Sequence, residues 1–155
     1  MKKIIIVLFS LFLSPSLFAA NSQPATDKID GLWEVRYDAS DTPSSHIRIT
    51  TQANGEVIGV IEEAYPRPGV KDDSPNCTKC TGENKDKPIK GLKVLWGMQP
   101  DGKNQWSGGH VLDAETGKIY SGKMTLTHDG NELDLRGYVL TPMFGDTSTW
   151  RKIGN

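Results

Sequence analysis

The residues with most chemistry available to them are two cysteines in a C-x-x-C motif, Cys77-Thr78-Lys79-Cys80. An oxidising compartment favours a structural disulfide. Closing so short a loop would stabilise the fold by at most about 2 kcal/mol on the chain-entropy account. A redox-active pair would normally sit at a helix N-terminus, which lowers the thiol pKa; here the motif lies in a Pro- and Lys-rich segment. A zinc site needs two further ligands, and the chain has no second C-x-x-C and no H-x3-H. His46, His110 and His128 are spread over three regions, of which a barrel could bring two together. Ser107 lacks the flanking glycine of a nucleophile elbow, and there is no H-E-x-x-H, G-x-S-x-G or P-loop. Glu62 and Glu63 are neighbours on an extended segment and point to opposite faces, a poor acid/base pair. These residues describe a protein that is not an enzyme and carries no cofactor or metal, with Cys77 and Cys80 joined to each other.

Apolar residues spaced by two are more informative. If Trp33 points inward, so do Val35 and Tyr37. Ile47 and Ile49 share a face, as do Leu92, Val94 and Trp96. Tyr120, Met124 and Leu126 form a fourth set, and Leu133, Leu135 and Val139 a fifth. These faces either pack solid or line an apolar pocket. The candidate ligand-lining residues are thus Val35, Tyr37, Ile47, Ile49, Val94, Trp96, Tyr120, Met124, Leu126, Leu133, Leu135 and Val139. A pocket for a drug-sized ligand would reach about 300 Å³. It would open away from Trp33, near the 66–89 loop or the 141–145 turn. Thr141-Pro142-Met143-Phe144 is an apolar turn where water-facing residues belong, which makes Met143 and Phe144 candidate partner contacts.

The elements that must position these residues are strands. No window sustains apolar residues at helical spacing for three turns. Short alternating segments recur instead between Gly, Asn, Asp and Pro clusters. The pattern predicts strands over Gly31–Asp38, Ser45–Thr51, Glu56–Tyr65, Leu92–Met98, Gln105–Leu112, Lys118–Thr127, Glu132–Leu140 and Thr147–Ile153. Most connections are short and join sequence neighbours, which favours an antiparallel meander. The fold class is therefore all-β: an eight-stranded antiparallel up-and-down barrel, in which closure removes both edges. The exception to short connections is residues 66–89, long enough to be a functional loop or a solvated one fastened by its cysteines.

Before the barrel comes an address. Lys2-Lys3, the apolar run Ile4 to Leu13 and Leu17-Phe18-Ala19-Ala20 read as a signal peptide over 1–20, cleaved after Ala19 or Ala20. The run is too short to span a bilayer. Residues 21–30 are a polar lead-in, and 31–155 form one domain. That leaves a mature chain with no transmembrane segment, in the bacterial periplasm or the medium. The 155 residues are 24% charged and 36% hydrophobic, with 16 Gly and 9 Pro, as suits a turn-rich domain with one core. Net charge is −1, and loss of Lys2 and Lys3 takes it to −3, which excludes the basic footprint of a nucleic-acid binder.

Gly31-Leu32-Trp33 at the start and Trp150-Arg151 near the end resemble the lipocalin and calycin signature. There, a G-x-W indole on the first strand is covered by a basic side chain from the last. The resemblance makes Gly31, Trp33 and Arg151 a lock at the closed barrel end. More broadly the mature chain resembles the secreted bacterial family called domain of unknown function 2147. The similarity is carried by Gly31-Leu32-Trp33, Pro88-Ile89-Lys90-Gly91-Leu92, Gly97-Met98, Asp101-Gly102 and Trp106-Ser107-Gly108-Gly109. It continues through Leu112-Asp113, Gly117-Lys118-Ile119-Tyr120, Asp129-Gly130, Arg136-Gly137-Tyr138 and Gly145 through Trp150-Arg151. The family usually has a basic residue after the glycine of the last hairpin, where this chain has Asp146. The resemblance implies a lipocalin-like envelope barrel and carries no established activity. Its expected partners are a small hydrophobic or amphipathic ligand or, alternatively, an envelope protein that meets the 141–145 hairpin and the 66–89 loop.

Overall fold

A computed structural model describes residues 29–37, 41–70, 73–127 and 129–155. The expected leader, most of the lead-in, and His128 lie outside the described residues. Eight strands follow one another: β1 (Gly31–Arg36), β2 (Pro43–Thr51), β3 (Val57–Ala64), β4 (Lys93–Pro100), β5 (Gln105–Leu112), β6 (Ile119–Leu126), β7 (Glu132–Tyr138) and β8 (Gly145–Gly154). Each pairs antiparallel with its sequence neighbours, and β1 pairs with β8 to close the barrel. All eight segments expected from alternation are strands, with ends moved by a few residues.

Alternation writes the interior. Trp33, Ile47, Ile49, Val57, Met124, Leu126, Leu133, Leu135 and Trp150 are all buried, and together they fill the barrel. Two glycines shift the pleat where alternation alone misplaces the core. Gly97 on β4 and Gly108 on β5 have φ of 72° and 76°, a conformation that only glycine adopts without strain. The register also slips between Trp106 and Gly109, as at a bulge. Leu95 and Met98, rather than Val94 and Trp96, therefore face inward on β4. Leu95 lies against Gly59 and Ile47, and the Met98 thioether covers Gly122.

Because the strands run up and down, the connections sort onto two ends. The described residues 52–56, 101–104, 127 and 129–131, with both ends of the barrel domain, lie at one end. The described residues 37, 41–42, 65–70, 73–92, 113–118 and 139–144 lie at the other. Trp33, Trp106 and Trp150 are buried toward the first end. All four tyrosines, Tyr37, Tyr65, Tyr120 and Tyr138, stand at the second.

Candidate functional site

At the Trp33 end of the barrel the cation over the indole is not the expected one. Trp33 is fully buried, and its Nε1 donates to Ile29 O at 2.9 Å. The charge over its ring is Lys152, with Nζ 5.6 Å from the centroid. Arg151 is exposed, which corrects its expected role. The cause is parity: Trp33 is paired across the seam with Lys152, and Lys152 shares the inner face of β8 with buried Trp150. Burial holds the Lys152 ammonium below its ordinary value, with Asp30 acting in the opposite sense. The spacing of two from Trp150 was the available signal.

The cysteines form the disulfide Cys77–Cys80. Both are buried, at 0% and 2% exposure, so neither sulfur is offered for thiol exchange. The long loop folds back as its own small unit. Asn76 bridges Pro88, Cys77 N donates to Lys87 O at 2.8 Å, and Ile89 N donates to Pro75 O at 2.8 Å. The unit rests on the turn between β5 and β6. Cys77 Sγ packs 3.3 Å from Ala114 O, and Gly117 lies so close to Lys79 and Cys80 that an added Cβ would overlap their backbone. Among the described residues no group of three His, Cys, Asp or Glu is placed to hold a metal ion.

His46 and His110, the two described histidines, sit in separate surroundings. His46 is on the outer face, 3.8 Å from Glu34 Oε2 through Nε2 and 3.3 Å from Tyr65 Oη through Nδ1. His110 stacks on Trp96, with ring centroids 5.5 Å apart. Trp96 is thus an outer-face residue and not a lining one. Val94 is buried but shares that face by alternation. Tyr37 lies past the end of β1, its hydroxyl donating to Tyr65 O at 2.7 Å and its ring under Arg67, so it belongs to the rim. Val139 is 57% exposed because β7 ends at Tyr138 and the chain turns out of the barrel, with Leu140 at φ 67°.

Among the described residues a recess of about 230 Å³ lies at the mouth, lined by Tyr120, Gly137, Tyr138, Val139, Phe144, Gly145 and Asp146. Strand pairing explains its shape. Gly137 opposes Asp146, and Tyr138 opposes Gly145. Gly137 continues the inner face of Leu133 and Leu135, which places Asp146 on that face as well. With no side chain at 137, the nearest atom an added Cβ would meet is Tyr120 Cβ at 3.6 Å, so glycine leaves the room. The recess is smaller than the 300 Å³ expected of a drug-sized site and lies above the core, not within it. Of the expected lining set it uses Tyr120 and Val139. Ile47, Ile49, Met124, Leu126, Leu133 and Leu135 are core, and Val35 packs against that core half-buried. Tyr138, Phe144 and Asp146 were not expected to line a pocket.

Beside the recess stands the turn 139–144, with Leu140 91%, Met143 81% and Phe144 69% exposed. It is held rigidly. Arg136 donates to Pro142 O at 2.5 Å, to Thr147 Oγ1 at 2.9 Å and to Met143 O at 3.5 Å.

Comparisons agree with this geometry. The chain is similar to a solved structure from the human pathogen Helicobacter pylori, protein HP1028, described as belonging to the lipocalin family. The TM-score is 0.66 at 17% identity, covering 81% of this chain and 82% of that one; at that identity the likeness is one of fold. A search of curated proteins finds no significant match. Residues 31–152 match the family described as "Uncharacterized protein conserved in bacteria (DUF2147)". That match spans the barrel from the first residue of β1 to the cation over Trp33, and the chain belongs to this family.

Proposed function

We propose that this protein is an exported, non-enzymatic binding module that takes a small amphipathic ligand at the open end of its barrel. The observation that carries the reading is the glycine-floored recess among Tyr120, Tyr138, Val139 and Phe144. Aromatic and apolar walls with one convergent polar group are what small-molecule sites use. The volume suits a head group, and the exposed Leu140 and Met143 offer a surface for an apolar tail. Titration with an environment-sensitive amphiphile tests this. Wild type should bind saturably, and Gly137→Leu, which fills the recess from its floor, should weaken binding at least tenfold while leaving thermal unfolding nearly unchanged. Equal binding by both proteins would refute it.

Export to the periplasm or medium is supported by Lys2-Lys3 and the apolar run that follows, and by a disulfide, which persists in oxidising compartments. N-terminal sequencing of the soluble product should start at Ala20 or Asn21. An intact Met1 there would defeat the proposal.

A second reading rests on the turn itself. Three large apolar side chains held outward by Arg136 suit contact with an envelope protein. Native mass spectrometry of the protein from its own envelope separates the two: a co-purified small molecule supports the first, a stoichiometric protein partner the second.

A further inference from the structure

We propose that the mouth recess selects a cationic head group, an organic ammonium carried on an apolar tail. This deepens the ligand-binding reading above and rests on it.

The recess lining contains one charged side chain, and it is acidic. Asp146 opposes Gly137 across the β7–β8 ladder, so its carboxylate stands on the inner face over a floor with no side chain. Among the described residues it has no hydrogen bond or ion pair of its own. The cation beside it on the neighbouring strand, Arg136, is on the opposite face of β7, where its guanidinium holds the carbonyls of Pro142 and Met143 and the Thr147 hydroxyl. It therefore does not neutralise Asp146. The walls are three aromatics, Tyr120, Tyr138 and Phe144. A ring face attracts an ammonium and repels an anion, and the hydroxyls of both tyrosines have no partner among the described residues. A lone carboxylate among aromatics over an empty floor favours an ammonium by charge and by ring quadrupole together. A carboxylate ligand would meet repulsion from both. The tail would leave the recess over Phe144 toward Met143 and Leu140, the most exposed apolar side chains of the turn.

The test is calorimetric titration of the intact mature protein with dodecyltrimethylammonium, dodecylphosphocholine, dodecyl maltoside and dodecanoate, each below its micelle concentration. The tail is constant and only the head changes. We expect dodecyltrimethylammonium to bind about tenfold more tightly than dodecanoate. Asp146→Asn should remove most of that ratio, and Asp146→Lys should invert it. Tight binding of dodecylphosphocholine as well would identify the ammonium source as a lipid head group; binding of the net cation alone would identify a free amine. Equal or tighter binding of dodecanoate, or a ratio unchanged in Asp146→Asn, overturns the proposal. If Gly137→Leu still abolishes binding in that case, the recess remains the ligand site with a different preference. Failure of every probe to bind would remove both readings.

Discussion

At the scale of single residues the most consequential exchange is Lys152 for Arg151. Trp33→Ala should cost about 3–5 kcal/mol, as for other fully buried aromatics. Arg151→Ala, an exposed change, should stay within about 0.5 kcal/mol of wild type, and urea unfolding of the two variants checks both values. Lys152 also gives the protein an alkaline signature. Its folded value is depressed below the unfolded 10.5, so between the two the unfolded chain holds more protons. Stability attributable to this group therefore rises with pH across that window. Below the folded value the cost of keeping the charge half-buried is present in full. Urea midpoints measured from pH 8 upward should climb relative to Lys152→Met, whose difference from wild type should narrow as pH rises. The identity of the cation was within reach of the sequence. Trp150 and Lys152 share a parity and Arg151 does not, but the resemblance put the basic residue directly after the tryptophan.

At the scale of elements, all eight strands were legible because alternation and turn residues are local signals. Leu95 and Met98 were not legible as the inward pair of β4. Their phase depends on bulges at Gly97 and Gly108, and nothing in a single sequence distinguishes a bulge glycine from a packing glycine. Glycines thus make a graded test of the packing. A Cβ at Gly109 would stand 2.5 Å from Trp96 O and 2.6 Å from Met98 N, backbone atoms that cannot move aside. Gly109→Ala should cost at least the 1–3 kcal/mol typical of overpacking. Gly137→Ala makes only an ordinary contact at 3.6 Å and should be close to neutral; thermal unfolding ranks the pair. The 65–92 loop is a separate case. Gly117→Ala should push its disulfide unit off the 113–118 turn. Hydrogen exchange should show Cys77 and Ile89 amides losing protection while β6 and β7 amides keep theirs. A sequence can show that a loop is long and contains two cysteines; it cannot show that the loop docks on a turn 37 residues further along.

At the scale of the whole molecule the chain separates its aromatics by kind. Three of the four indoles, Trp33, Trp106 and Trp150, are buried toward one end and the phenols stand at the other, so ligand and fold report through different residues. On titration with a bound amphiphile, ring resonances of Tyr120 and Tyr138 should shift while the indole N–H resonances of Trp33, Trp106 and Trp150 stay in place. Movement of the indoles would put the ligand in the core instead. The mouth recess itself was only half legible. Tyr120 was expected there, but Asp146 and Gly137 meet only through a pairing that the register of β7 and β8 sets. The seam between β1 and β8 has a consequence in time. It pairs only Leu32 with Gly154, Trp33 with Lys152 and Glu34 with Arg151, whereas β7 and β8 pair along their full common length. Its partners lie at opposite ends of the domain sequence, so joining them carries the largest loop-closure entropy of any contact in the barrel. The hairpins therefore form first and the ring shuts last. Substitutions at the seam should speed unfolding and leave the refolding rate nearly untouched, so the contact that makes the barrel a barrel would govern how long a folded molecule lasts rather than how fast it arises.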